Sequence, residues 1–314
     1  MSYIRLEDGE DGVSERILVA DDTRTGRYQN LYKMLALSSI ILIVFTLLLN
    51  ITRAAPIDQG GHLQVYSNNI RFATTTPGAA EKPWSDRKYD VVQSIKFFAS
   101  RGNTVVGLQE VLKSQLDDIL ELLGGDWAYY GVGRDGGESG EYSPVLYDTT
   151  QFTLLDSKTL WLSETPDVPS KGWDAALPRI ATLTQLKTKS GGYTFNFYNT
   201  HLDHLGVVAR EKSMALIASL EWHDGPILLS GDFNSPPTED AYKEISKYYS
   251  DTRLVSKIKY GFTGTYTGFQ DEADVIIDFI FVKGLDSDYY GVLPNGFEEL
   301  KFSDHRPVVA GFKL

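Results

Sequence analysis

Residues 143–199 contain four apolar segments rich in β-branched and aromatic side chains, at 143–147, 152–162, 180–186 and 194–199. Neither 143–162 nor 180–199 leaves room for a helix between its two segments. Strands joined so closely can only be antiparallel neighbours, because a parallel return needs a crossover of a dozen residues or more. A sheet built from them is therefore not purely parallel. Elsewhere the pattern changes. Strand-like runs at 63–70, 104–109, 127–132, 227–230, 275–282 and 307–312 are separated by segments of helical period. Segment 87–101 puts Val91, Val92, Ile95, Phe98 and Ala99 on one face, and 113–123 does the same with Leu116, Ile119, Leu120 and Leu123. Further helices are expected at 209–222 and 239–249. Hairpins combined with strand–helix alternation predict an α/β protein with two mixed sheets face to face and helices outside.

The chain has 314 residues, 42 % hydrophobic and 23 % charged. That composition excludes a wholly disordered chain, a collagen-like fibre and a polytopic membrane protein. With no cysteine, disulfides, thiolate zinc sites, iron–sulfur clusters and a thiol nucleophile are excluded too. The formal charge is −12, of which residues 62–314 carry −10 (34 acids, 24 bases). Such a body repels nucleic-acid phosphates unless a local basic strip or a bound cation intervenes.

Residues 34–51 run without a charge, roughly 27 Å as a helix, enough for a bilayer core. Arg24, Arg27 and Lys33 precede the run and Arg53 alone follows, which by the positive-inside bias puts the first 33 residues in the cytosol. The expected organisation is a disordered tail at 1–33, a single-pass signal anchor at 34–51, a linker at 52–61 and an extracytoplasmic globular domain at 62–314. The alternative is secretion after cleavage near Ala54-Ala55.

Polar residues with chemical potential lie where strands end. Glu110 follows the strand Thr104–Gln109, as a hard-metal ligand or as a solvated carboxylate opening a turn. Ser230-Gly231-Asp232-Phe233-Asn234 breaks a buried strand, presenting Asp232 and Asn234 for chemistry or for turn shape. Asp278, inside Ile276-Ile277-Asp278-Phe279-Ile280-Phe281, is costly unless paired. Among the five histidines, His305 in Ser303-Asp304-His305 is the natural partner for Asp278, and His201 can pair with Glu141. His62, His204 and His223 read as structural or solvated.

Six motifs occur in order: Asn69-Ile70-Arg71, Gln109-Glu110, Thr200-His201-Leu202, Gly231-Asp232-Phe233-Asn234, Ile277-Asp278-Phe279 and Ser303-Asp304-His305. Together they resemble the endonuclease/exonuclease/phosphatase superfamily, on its deoxyribonuclease-like side and in a large microbial branch. The resemblance implies a four-layer α/β/β/α sandwich with the site at one rim and a divalent cation, Mg²⁺ or Mn²⁺. It makes Glu110 the main metal ligand, with Asp304 in support. Asn69, Asp232 and Asn234 become holders of metal, phosphate and attacking water. His305 becomes a general acid or base oriented by Asp278, and His201 a second histidine partnered by Glu141. Arg179 resembles a phosphate-contacting arginine, with Arg71 and Arg134 as weaker candidates. Arg71 stands where abasic-site endonucleases carry an acid, and the tryptophan-containing motif of inositol 5-phosphatases is missing around Asp304.

The expected function is metal-dependent hydrolysis of a phosphodiester by a monomeric, membrane-anchored enzyme. A non-specific nuclease is the alternative, with nucleic acid disfavoured by the charge. A binding module that has lost catalysis is the alternative from another class.

Overall fold

The computed structural model describes residues 61–220, 222–270, 275–297 and 300–314. The chain runs β1 (His62–Asn69), α1 (Trp84–Ala99), β2 (Thr104–Gln109), α2 (Lys113–Leu123), β3 (Trp127–Tyr130), β4 (Val145–Asp148) and β5 (Phe152–Trp161). It continues through β6 (Ile180–Thr188), β7 (Thr194–His201), α3 (Val207–Ala218), β8 (Ile227–Asp232) and α4 (Asp240–Ile245). The last stretch holds β9 (Ser250–Asp251), α5 (Thr252–Val255), β10 (Ile258–Gly261), β11 (Asp278–Lys283), β12 (Asp286–Val292), β13 (Gly296–Phe297), β14 (Leu300–Lys301) and β15 (Val308–Lys313).

Two mixed sheets result. One has seven strands in the order β10-β12-β15-β1-β2-β4-β3, the other six in the order β5-β6-β7-β8-β11-β9. Pairs β1–β2 and β7–β8 are parallel, whereas β5–β6–β7 and β8–β11 are antiparallel. Between the sheets, Leu63, Val65, Val105 and Phe312 interleave with Leu186, Phe195, Phe197, Leu228 and Ile280. The opposite face of the seven-stranded sheet packs Tyr66, Val106 and Leu108 under Val91, Ile95, Phe98, Leu116 and Ile119 of α1 and α2. Leu183, Tyr198, Leu229 and Phe279 of the other sheet lie under Met214 and Ile217 of α3 and Ala241 and Ile245 of α4. This is the expected four-layer α/β/β/α sandwich. Burial on both faces explains why β2 and β8 open as nearly continuous apolar runs, Val105-Val106-Gly107-Leu108 and Ile227-Leu228-Leu229.

Boundaries differ where local bonds override pattern. The strand expected from residue 275 begins at Asp278. Val275 instead bridges Tyr266, and the Thr265 hydroxyl accepts from the backbone N–H of Ile277 and Asp278. Strand β12, absent from the sequence reading, lies between β10 and β15. Its sequence, Asp286-Ser-Asp-Tyr-Tyr-Gly-Val292, is too polar to be recognised without those neighbours.

The membrane placement is corrected. Among the described residues no helix is long and apolar enough to cross a membrane. The segments 1–33, 34–51 and 52–60 that prompted the placement lie outside the described residues. The anchored, extracytoplasmic location therefore has no structural support and is withdrawn.

Toward one rim the space between the sheets turns polar. Asn199 Nδ2 donates to the carbonyls of Leu108 (2.7 Å) and Pro144 (3.0 Å), and its Oδ1 accepts from Gln109 Nε2 (2.7 Å) and Ser230 Oγ (3.0 Å). Gly107 makes this closeness feasible. A Cβ there would lie 2.4 Å from Ser230 Oγ and 2.7 Å from Asn199 Oδ1. Gly107→Ala should cost about 1–3 kcal/mol by overpacking, read as a lower denaturant midpoint. Removing the Ser230 hydroxyl in that background should recover only part of it, because Asn199 still obstructs.

Candidate active site

Strand register assembles the site. Parallel pairing sets Asn69, the last residue of β1, opposite Gln109. In the other sheet His201 lies opposite Asp232, and Asp232 opposite Asp278. The chain leaves these ends through residues with positive φ: Arg71 and Glu110 at 58° and Asn234 at 47°. Such conformations cost of order 1 kcal/mol or more in non-glycine residues. Here they follow strand ends directly, with Glu110 and Asn234 lining the cavity at the rim.

Asn69 clamps the carboxylates. Its Oδ1 accepts from Arg71 N (2.9 Å), which fixes the amide orientation. Its Nδ2 then donates to Glu110 Oε1 and Asp232 Oδ2, both at 2.9 Å. Glu110 Oε2 accepts from Phe72 N (3.1 Å) and Asp232 Oδ1 from Asn234 N (2.8 Å). The Asn234 amide is oriented by the Leu202 carbonyl, to which Nδ2 donates at 3.0 Å. Its other N–H faces His201 Nε2 at 3.0 Å. That nitrogen must accept, so the His201 proton sits on Nδ1.

The expected His305–Asp278 pair is present, with Nδ1 2.8 Å from Asp278 Oδ2. His305 Nε2 points toward Asp232 Oδ2 at 3.7 Å. Burial would lower His305, but Asp278 and Asp232 outweigh it and hold the ring well above the ordinary histidine value. His201 goes well below it, through burial and then through the charges of Arg179 and His305. Burial, and then repulsion from Asp278, pushes Asp232 up to about 7.

The expected His201–Glu141 hydrogen bond is not made. Glu141 Oε2 stands 3.8 Å from His201 Nδ1 because both carboxylate oxygens are held at 2.8 Å by Arg134. Burial, and then Glu110, raises the Glu141 pKa. Burial likewise raises Asp304.

These groups line one cavity of about 620 Å³, with Arg71, Glu110, Arg134, Glu141, Arg179, His201, Asp232, Asn234, Asp304 and His305 in its wall. Arg71 is spent on Glu81 and Glu110 and stacks over Phe72. Arg179 is buried, and its Nη1 has no hydrogen-bond partner. Ligand atoms of Glu110, His201 and Asp232 lie within 4.8 Å of one another. Two carboxylates held together by one amide form a hard-oxygen set that fits a divalent cation such as Mg²⁺.

Five wall residues escaped the sequence reading. His204, read as structural or solvated, lines the cavity beside Arg179; Phe72, Leu177, Tyr266 and Ile277 also line it, with the Tyr266 ring edge-on to His305. Arg87, also missed, lies beneath the site. It donates to the carbonyls of Ile70 (2.8 Å), Arg71 (3.1 Å) and Phe302 (2.7 Å), tying the loops after β1 and before β15 together. Its spacing from Val91, four residues on, was the available signal.

Ring NMR titration of the cation-free protein should find His305 protonated and His201 neutral at pH 7. Asp278→Asn removes the charge that raises His305, so its titration should move down. An unchanged His305 would dissociate the pair.

Comparison with known proteins agrees with this geometry. The model of the endonuclease/exonuclease/phosphatase family matches residues 69–305. An uncharacterised protein of Acanthamoeba polyphaga mimivirus is 29 % identical over 187 residues, 54 % of this chain and 69 % of the relative. A solved family member from Bacteroides thetaiotaomicron superposes with a TM-score of 0.75 at 35 % identity, covering 81 % of this chain and 98 % of the other. A mannosyl-6-phosphatase from the same organism does so at 0.74 and 35 %, covering 79 % and 98 %. The chain belongs to the endonuclease/exonuclease/phosphatase family.

Proposed function

We propose that the protein hydrolyses a phosphate ester of a small molecule, with a divalent cation and an activated water attacking phosphorus. The observation that carries this reading is the convergence on one cavity of the Glu110–His201–Asp232 group, the Asp278–His305 pair and the buried Arg179 with its unpartnered Nη1. The similarity to a mannosyl-6-phosphatase supports it from outside the chain.

Glu110 would hold the cation, with Asp304 on the same wall. The bound cation supplies charge neutralisation at the phosphoryl oxygens. Arg179, in the same wall, supplies positive charge beside the phosphoryl group. Asp232, on the rim beside Glu110 and His305, takes a proton from water as the new P–O bond forms. The ester P–O bond breaks, and the leaving oxygen receives a proton from the His305 imidazolium, which Asp278 holds in place. His201, oriented by Asn234, stays neutral beside the phosphate.

A small ester fits better than nucleic acid. Residues 62–314 carry a net −10, which disfavours a polymeric phosphate backbone. Arg71 and Arg134 are each held by glutamates.

The test is hydrolysis of p-nitrophenyl phosphate, bis-p-nitrophenyl phosphate, mannose 6-phosphate and plasmid DNA, with Mg²⁺ and with EDTA. Small esters should be cleaved only with the cation, the two p-nitrophenyl compounds separating monoester from diester preference. Plasmid cleavage more efficient than any small ester, and weakening steeply with salt, would make this a nuclease. Glu110→Gln should lower activity at least tenfold at low Mg²⁺ and recover partly at high Mg²⁺. Unchanged cation dependence would remove Glu110 from the metal site.

A further inference from the structure

The floor and the mouth of the cavity differ in solvent access. His201, His305 and Asp232 expose 8 %, 5 % and 2 % of their side chains, while His204 in the same wall exposes 45 %. A group at the mouth meets the part of a bound ester that lies away from phosphorus, the leaving group.

The His204 ring has no choice of proton position. Its Nδ1 lies 3.2 Å from Arg179 Nη2. A guanidinium nitrogen only donates, so Nδ1 accepts and the ring proton sits on Nε2. Arg179 is itself held, its Nε donating to Asp203 Oδ2 at 3.5 Å. The Asp203 carboxylate also accepts from the backbone N–H of Ala176, Leu177, Leu205 and Gly206. Burial works against the Asp203 charge, but these four bonds bring its pKa down to about 2. Asp203 is thus a permanent anion that locks the loops on both sides of Arg179. The series Asp203, Arg179, His204 engages Nδ1 of the ring and leaves Nε2 as its outer nitrogen, in a cavity-lining residue whose side chain is 45 % exposed.

We propose that His204 donates from Nε2 to a hydroxyl oxygen of the leaving group, selecting carbohydrate- or polyol-type phosphate esters over alkyl ones. This rests on the phosphoesterase reading above. An N–H donor suits a hydroxyl oxygen. A second anionic group on the leaving moiety would instead meet the carboxylates of a strongly acidic body. The residue would act on selectivity, since a site built to bond a substrate hydroxyl rejects the analogue that lacks it.

The experiment measures calorimetric affinities for mannose 6-phosphate and for butyl phosphate with Mg²⁺, in an Asp232→Asn background that keeps both ligands intact. The protein should prefer mannose 6-phosphate. His204→Phe should cut the preference tenfold or more. His204→Gln, whose amide both accepts from Arg179 and donates outward, should restore most of it. Ring ¹⁵N shifts should report the Nε2–H tautomer at neutral pH. A preference unchanged in His204→Phe, or a proton found on Nδ1, would overturn the assignment. Absence of ester hydrolysis by the unmodified protein would count against the phosphoesterase reading and leave these binding ratios and tautomers to be judged separately.

Discussion

Asp232 and Asp278 face each other across adjacent strands, each about 1 % exposed. Like charges directly opposed in a ladder repel, and removal from water deepens the penalty. The rim is organised around that conflict. His305 puts Nδ1 on one carboxylate and turns Nε2 toward the other. Asn69 reaches across from the opposite sheet to the same Asp232 oxygen, and the Asn234 N–H takes the second one. Burial, and then repulsion from Asp278, still raises the Asp232 carboxyl above the ordinary carboxylate range.

Holding such a cluster requires support that does not yield. The amide layer of Gln109, Asn199 and Ser230 joins the two sheets beneath the site, and Gly107 lets them approach closely enough for it to form. Behind the seven-stranded sheet, Arg87 spends its guanidinium on four backbone carbonyls, those of Ile70, Arg71, Lys82 and Phe302. These contacts over-determine the backbone at Arg71, Glu110 and Asn234, which would otherwise relax out of positive φ.

The opposite wall uses paired charges differently. Arg134 is neutralised by Glu141 at two oxygens, whereas Arg179 reaches Asp203 through Nε alone and keeps Nη1 unpartnered. Arg134 retains an unpartnered Nε as well, so the two arginines differ in how fully a carboxylate neutralises them, two short contacts against one long one.

Much of this was legible in the sequence. The hairpin expected at 180–199 is β6–β7, but the one expected at 143–162 does not form, since β4 pairs β2 and β3 while β5 crosses to the other sheet and pairs β6. The helical stripes of 87–101 and 113–123 required layers outside the sheets, because period acts locally. Asp278 within an apolar run announced a need for a partner, since a buried carboxylate cannot stay unpaired. Other features depend on groups far apart in the chain. Strand β12 is recognisable only between β10 and β15. The preference of Glu141 for Arg134 over His201 is a competition of distances, 2.8 against 3.8 Å, that composition does not decide. His204 looked like a solvated ring until the fold put Arg179 beside its Nδ1. The sequence determined which polar residues would stand near strand ends, because apolar patterning places each strand to within a few residues. Only the tertiary structure decided which of them share protons and charge, because those couplings fall off within a few ångströms and join residues up to more than two hundred positions apart.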